Sequence, residues 1–282
     1  WINITVSEDE FIIEDNCGGI PLEIAKSYAF RFGRPKDAEL TPKSVGLFGV
    51  GMKRAIFKMG RYFVIESYTK NDVFKIEQDI EKWQSQNTWD FMFNTVKSDG
   101  SSHENGTKIV VSELLKNVRE SFKLETFVTE LINQLEAAQQ ISLEKGIKIS
   151  LNNYTLKYKP AKFYHSDKIK PSFTKIRLDK YSDVDIQILT GIFDRNLEQG
   201  GWYLFCNSRL VLYADQSTTT GWGESGNLPK YHPDFAFFRG VVEFDADDCE
   251  THFIGPKRIN LIANQTDAVR IQCNNVVVRD LE

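Results

Sequence analysis

Three short stretches hold residue types that can grip a nucleotide. In Ile13-Glu14-Asp15-Asn16-Cys17-Gly18-Gly19-Ile20, a carboxylate ends an apolar run and two glycines follow it. A carboxylate so placed can accept a hydrogen bond from an exocyclic amino group such as that of adenine. Gly19 leaves room for a flat base to approach the backbone, and Ile20 offers an apolar side chain for its face. In Gly46-Leu47-Phe48-Gly49-Val50-Gly51-Met52-Lys53, three glycines stand where a loop becomes a helix. Backbone N–H groups at such a start bind phosphate oxygens without side-chain help. Gly46, Gly49, Val50, Gly51 and Met52 are the candidate phosphate residues. Lys53 and Arg54 either touch phosphate or lie exposed on the first helical turn. Asn105-Gly106-Thr107 opens a strand, and the Thr107 hydroxyl is a candidate partner for Asp15 or a bridging water. Alone, each stretch has a plainer reading as a turn, a helix cap or a strand start. Their order, and the loop between the first two, make the combination specific.

The elements that must position them are legible in outline. Trp1 to Val6 alternates as a half-buried strand, and Phe11 to Asp15 is a second strand. A helical stretch follows Pro21 and runs to Ala29. Residues 31–45 lack periodicity and read as a loop before the helix Met52 to Lys58. Strands are expected at Tyr62–Tyr68, Val73–Gln78, Trp89–Val96 and Thr107–Ser112. Leu124, Phe127, Val128, Leu131, Leu135 and Ala138 recur at helical spacing, so Leu124 to about Gln140 should be an amphipathic helix with its apolar face on the sheet, stopped by Gly146. Ile147–Leu151 and Tyr154–Tyr158 flank Asn152-Asn153 as a hairpin. The Lys-rich stretch Pro160 to Pro171 is the best domain boundary. Beyond it come a strand at Val184–Ile192, a hairpin of Trp202–Cys206 with Leu210–Tyr213, a Gly-rich segment from Thr218 to Asn227, and a strand at Gly240–Phe244.

Composition narrows the classes. The chain has 282 residues, 41% hydrophobic and 26% charged, with 20 Phe, 10 Tyr and 5 Trp, ample for a packed core. It has no apolar run of membrane-spanning length. A net charge of −4, shared evenly between the two parts, gives no support to a nucleic-acid coat. Cys17, Cys206, Cys249 and Cys273 are far apart and form no CxxC pair. A disulfide framework or zinc site is therefore not expected, and a cytoplasmic location is the default.

Together the three stretches resemble the GHKL superfamily of ATPases, which spans gyrase, the ninety-kilodalton heat-shock chaperone, sensor histidine kinases and MutL proteins. Asp15-Asn16-Cys17-Gly18-Gly19 is similar to its DxGxG element, with Cys17 in place of the first glycine. Residues 46–51 resemble its GxxGxG element, and Thr107 its last nucleotide element. The resemblance covers roughly residues 1–158 and implies a Bergerat-type α/β sandwich that binds ATP with Mg²⁺. Asp15 is then the adenine ligand. The family's first element, a helix with a general-base Glu and a Mg²⁺-binding Asn, has no counterpart here, so hydrolysis is expected to depend on residues upstream of Trp1.

The second part strengthens the resemblance. Gly200 to Leu212, Thr220-Gly221-Trp222-Gly223 and Phe235 to Phe244 resemble bacterial relatives of MORC ATPases. This implies an α+β chain, residues 1–158 binding ATP and residues 159–282 forming a ribosomal-protein-like α/β transducer. Lys257, in Gly255-Pro256-Lys257-Arg258-Ile259, is the implied γ-phosphate contact, where a compact ammonium suits shifting charge. The family also implies a homodimer when ATP-bound, with a protein client or DNA as further partners by analogy only. A non-hydrolysing nucleotide sensor or interaction module is the alternative, and a sensor-kinase catalytic domain a weaker one. His232 lacks a second histidine for a metal site, and Asp245, Asp247, Asp248 and Glu250 read as a solvated loop.

Overall fold

The computed structural model describes residues 1–31, 51–86, 90–97, 104–160, 162–178, 184–223 and 229–245. Contacts divide the chain into two compact units, with the change at Tyr158 and Lys159.

In the first unit the strands are β1 (Ile2–Val6), β2 (Glu10–Asp15), β3 (Gly60–Tyr68), β4 (Asp72–Asp79), β5 (Phe93–Lys97), β6 (Gly106–Leu114), β7 (Ile149–Leu151) and β8 (Tyr154–Thr155). They form one sheet in the order β5-β4-β3-β6-β2-β1-β7-β8. Neighbours are antiparallel except β1 and β7. The helices are α1 (Leu22–Ile24), which runs into a π-turn at Ala25–Ala29, α2 (Gly51–Met59), α3 (Ile80–Gln84), α4 (Lys116–Phe122), α5 (Glu125–Ala138) and α6 (Gln140–Glu144).

Period-two alternation gives the sheet two unlike faces. Opposite residues point the same way, so Phe63 with Val111 and Phe11, and Ile65 with Ile109 and Ile13, line one inner face. Ile56 of α2, Ile80 and Trp83 of α3 and Ala25 of the π-turn close over β3, β4 and β6. Val128, Leu131 and Leu135 of α5 and Leu143 of α6 close over β1 and β7. The outer face carries Glu14, Lys108, Glu66 and Lys75 on one rung, alternating in sign. This one-sided α/β sandwich is the architecture expected for the GHKL fold.

Some elements depart from the sequence reading. Residues 80–84 and 116–122 are helical, and a short α6 follows the expected long helix, which ends at Ala138. Asp79 caps α3 by accepting the Lys82 N–H at 3.0 Å, a local bond that helical periodicity does not reveal. Five or seven residues are too few for a periodic signal.

The second unit holds β9 (Ser172–Leu178), β10 (Val184–Ile192), β11 (Gly201–Cys206), β12 (Arg209–Asp215) and β13 (Phe238–Phe244) in the order β12-β11-β13-β10-β9. Strand β9 is not foreseen by the sequence reading. Trp202, Trp222, Phe238 and Phe244 form the core with Val184, Ile186 and Ile188. Arg239 is buried beside it. Its guanidinium lies 3.9 Å from the Phe193 ring centroid and donates to Gln199 Oε1 at 2.8 Å. Cys206 is disulfide-bonded, a pairing that the wide cysteine spacing does not predict, whereas Cys17 is a free thiol. Among the described residues no helix is long and apolar enough to cross a membrane.

Candidate functional site

The inner face ends in a polar rung. Asp15, Thr107 and Ser67 lie directly opposite one another on β2, β6 and β3. The next two rungs on the same face, Ile13-Ile109-Ile65 and Phe11-Val111-Phe63, are apolar. Polar groups at one end of an otherwise apolar layer are the arrangement expected of a pocket mouth.

The loop after β2 is tightly held. The Cys17 N–H donates to Asp15 Oδ1 at 2.7 Å, which orients the carboxylate. Burial and the Asp15 charge push the Cys17 thiol up from its ordinary value. Gly18 and Gly19 follow with φ of +104° and +75°, the left-handed region that glycine enters without penalty. Cys17 has no positive φ, so a side chain is tolerated there although the family pattern has glycine. Gly19 is also needed for packing. A Cβ on it would strike the Tyr68 carbonyl and come within 3.1 Å of the Gly106 carbonyl oxygen. The space beside Gly19 on that side is thus filled by protein. Ile20, read as a wall for the base, packs against the core cluster under β3 and β4.

Ser67 is the residue that sequence reasoning missed. It is fully buried, and its Oγ accepts the Ile20 N–H at 2.6 Å and donates to the Ile20 carbonyl at 3.1 Å. A usable signal existed: Ser67 follows Phe63 and Ile65 at inward positions of one strand, and a buried hydroxyl must find partners.

On the phosphate side, Gly51 and Met52 begin α2. Among the described residues, a Cβ at Gly51 would meet nothing within 4 Å. Met52 is half-buried against the core. Lys53 corrects one expectation: it is buried, not exposed. Its Nζ donates to the Ala29 carbonyl at 2.7 Å, and burial pushes its pKa down to about 8. Arg54, next to it, is exposed. Gly46, Gly49, Val50 and Lys257 lie outside the described residues, as do Asp247, Asp248 and Glu250.

Asp15 and Thr107 face each other at the end of the inner face, and among the described residues no group of three His, Cys, Asp or Glu side chains gathers to hold an ion. His232 is used locally, its Nδ1 accepting the Asp234 N–H at 3.3 Å to cap a turn.

No curated protein matches the chain. Residues 1–117, which include β1 to β6 and the polar rung, match the family described as Histidine kinase-, DNA gyrase B-, and HSP90-like ATPase, and this match supports the GHKL ATPase superfamily for the N-terminal unit.

Proposed function

We propose that the first unit binds ATP at the end of its inner sheet face. Asp15 accepts the adenine amino group through the carboxylate that Cys17 N–H already orients. Thr107, opposite Asp15, supports the same edge of the base directly or through water. The glycine segment Gly46 to Gly51, with Met52, cradles the phosphates by backbone N–H groups at the start of α2. Lys53 has a structural part in this reading, because its ammonium donates to the Ala29 carbonyl. Mg²⁺ would arrive with the triphosphate and offset charge on its oxygens.

We extend the proposal to hydrolysis, in which a general base would activate a water for in-line attack on the γ-phosphate. Residues 159–282 act as a transducer, with Lys257 as its γ-phosphate contact, and ATP binding closes the lid and favours a homodimer. The single observation that carries the reading is the Asp15–Thr107 pair on the polar rung, within the segment that matches the ATPase family.

The test is thermal unfolding with and without Mg-ATP. At a hundredfold excess over Kd, binding adds about 2.7 kcal/mol to the first unit. No shift at millimolar Mg-ATP, with the protein folded, would reject nucleotide binding.

A further inference from the structure

We propose that Ser67 is a positioning residue of the nucleotide site, setting base affinity through the Gly19–Ile20 peptide without touching the nucleotide. The inference rests on the ATP-binding reading above.

The loop from Asp15 to Ile20 is pinned at both ends. At its start, Asp15 Oδ1 holds the Cys17 N–H. At its end, the Ser67 hydroxyl holds both the N–H and the carbonyl of Ile20. Between them are two glycines in the left-handed region, the softest backbone in the segment. Loss of the Ser67 clamp would free one end of this soft stretch and strand two backbone polar groups of Ile20. Ser67 also stands on the rung of Thr107 and Asp15, so a shift of the loop is felt where the base would bind. It is distant in role from the phosphate end, which α2 provides. Its effect should therefore fall on the base and spare the triphosphate.

The test compares the parent protein with Ser67→Ala and Ser67→Thr. Mg-ATP and inorganic tripolyphosphate with Mg²⁺ are the two probes, titrated calorimetrically, and circular dichroism confirms folding. Ser67→Ala should weaken ATP by tenfold or more and leave tripolyphosphate within twofold, while Ser67→Thr, which keeps the hydroxyl, should recover most of the ATP affinity. Amide exchange at Ile20 should be slow in the parent and fast in Ser67→Ala. If Ser67→Ala weakens both probes equally, or leaves ATP unchanged, the positioning role is wrong while ATP binding stands. If the folded parent binds no ATP, the nucleotide reading fails and this inference with it. Should Ser67→Ala not fold, rapid exchange at Ile20 in the parent would overturn the clamp, and slow exchange with ATP recovered in Ser67→Thr would uphold it.

Discussion

Asp15 and Cys17 are joined by a 2.7 Å hydrogen bond in which the Cys17 N–H donates to Asp15 Oδ1. The bond uses the Cys17 backbone alone, and Cys17 lies outside the left-handed region. The loop therefore tolerates a side chain where the family pattern has glycine. Cys17→Gly should leave ATP affinity within about twofold and cost up to ~1 kcal/mol of stability through the looser unfolded chain. Calorimetric titration and chemical denaturation check both numbers. A large gain in affinity would show that the cysteine obstructs the pocket.

Asp15→Asn keeps an oxygen that can accept the Cys17 N–H, so the fold should survive. It removes the negative acceptor offered to the adenine amino group. A charged hydrogen bond of this kind is worth about 1.5–3 kcal/mol, so ATP should bind at least tenfold more weakly. Equal thermal shifts with Mg-ATP for parent and variant would remove Asp15 from the site.

Two glycines should respond oppositely to alanine. Gly19→Ala forces a side chain into φ +75° and against the Tyr68 carbonyl, and should destabilise the first unit by about 1–3 kcal/mol. Gly51→Ala meets no described residue within 4 Å at the start of α2 and should cost nothing in stability, and can add up to ~1 kcal/mol. If phosphate approaches this backbone closely, Gly51→Ala will still weaken Mg-ATP. Melting and titration of the two variants separate packing from ligand contact.

Lys53 predicts a pH dependence. Its pKa is about 8 when folded against an ordinary 10.5. Between those values the folded protein binds fewer protons than the unfolded chain, so stability rises with pH across that window. Below pH 8 the burial penalty is fully present, and above 10.5 it is gone. The whole swing is of order 3 kcal/mol. Lys53→Met keeps the aliphatic bulk and removes the titration. The stability of the parent relative to Lys53→Met should therefore grow from pH 7.5 to pH 10, measured by urea unfolding. A constant difference would contradict the buried ammonium.

Arg239→Lys tests the second unit. Lysine lacks the planar fork that lies against Phe193 while donating to Gln199 Oε1. A loss of about 1–3 kcal/mol is expected, read as a lower melting transition with ATP binding by the first unit retained. An unchanged transition would mean that the stacking adds nothing.

Most of the strands, and the three glycine-bearing stretches, are legible in the sequence because their signals are local. Alternation along β3 and β6, and glycines beside Asp15, need no knowledge of neighbours. The short helices α3 and α4 escape because a turn or two of helix carries too little periodicity. The burial of Lys53 escapes for a different reason. On the helix alone it stands beside the exposed Arg54, and the hydrogen bond to the Ala29 carbonyl, from another element, is not visible there.

By itself, the sequence determined the mixed α/β class, the ordered set of Asp15, the glycine segment and Thr107, and the resemblance to a nucleotide-binding family. Those depend on residue type and spacing along one chain. Only the tertiary structure decided that Asp15, Thr107 and Ser67 share a rung, that Gly19 is required by Tyr68, and that Lys53 turns inward. Each of these depends on which strand or turn lies opposite. Register and close packing join residues tens of positions apart, and no local pattern encodes that pairing.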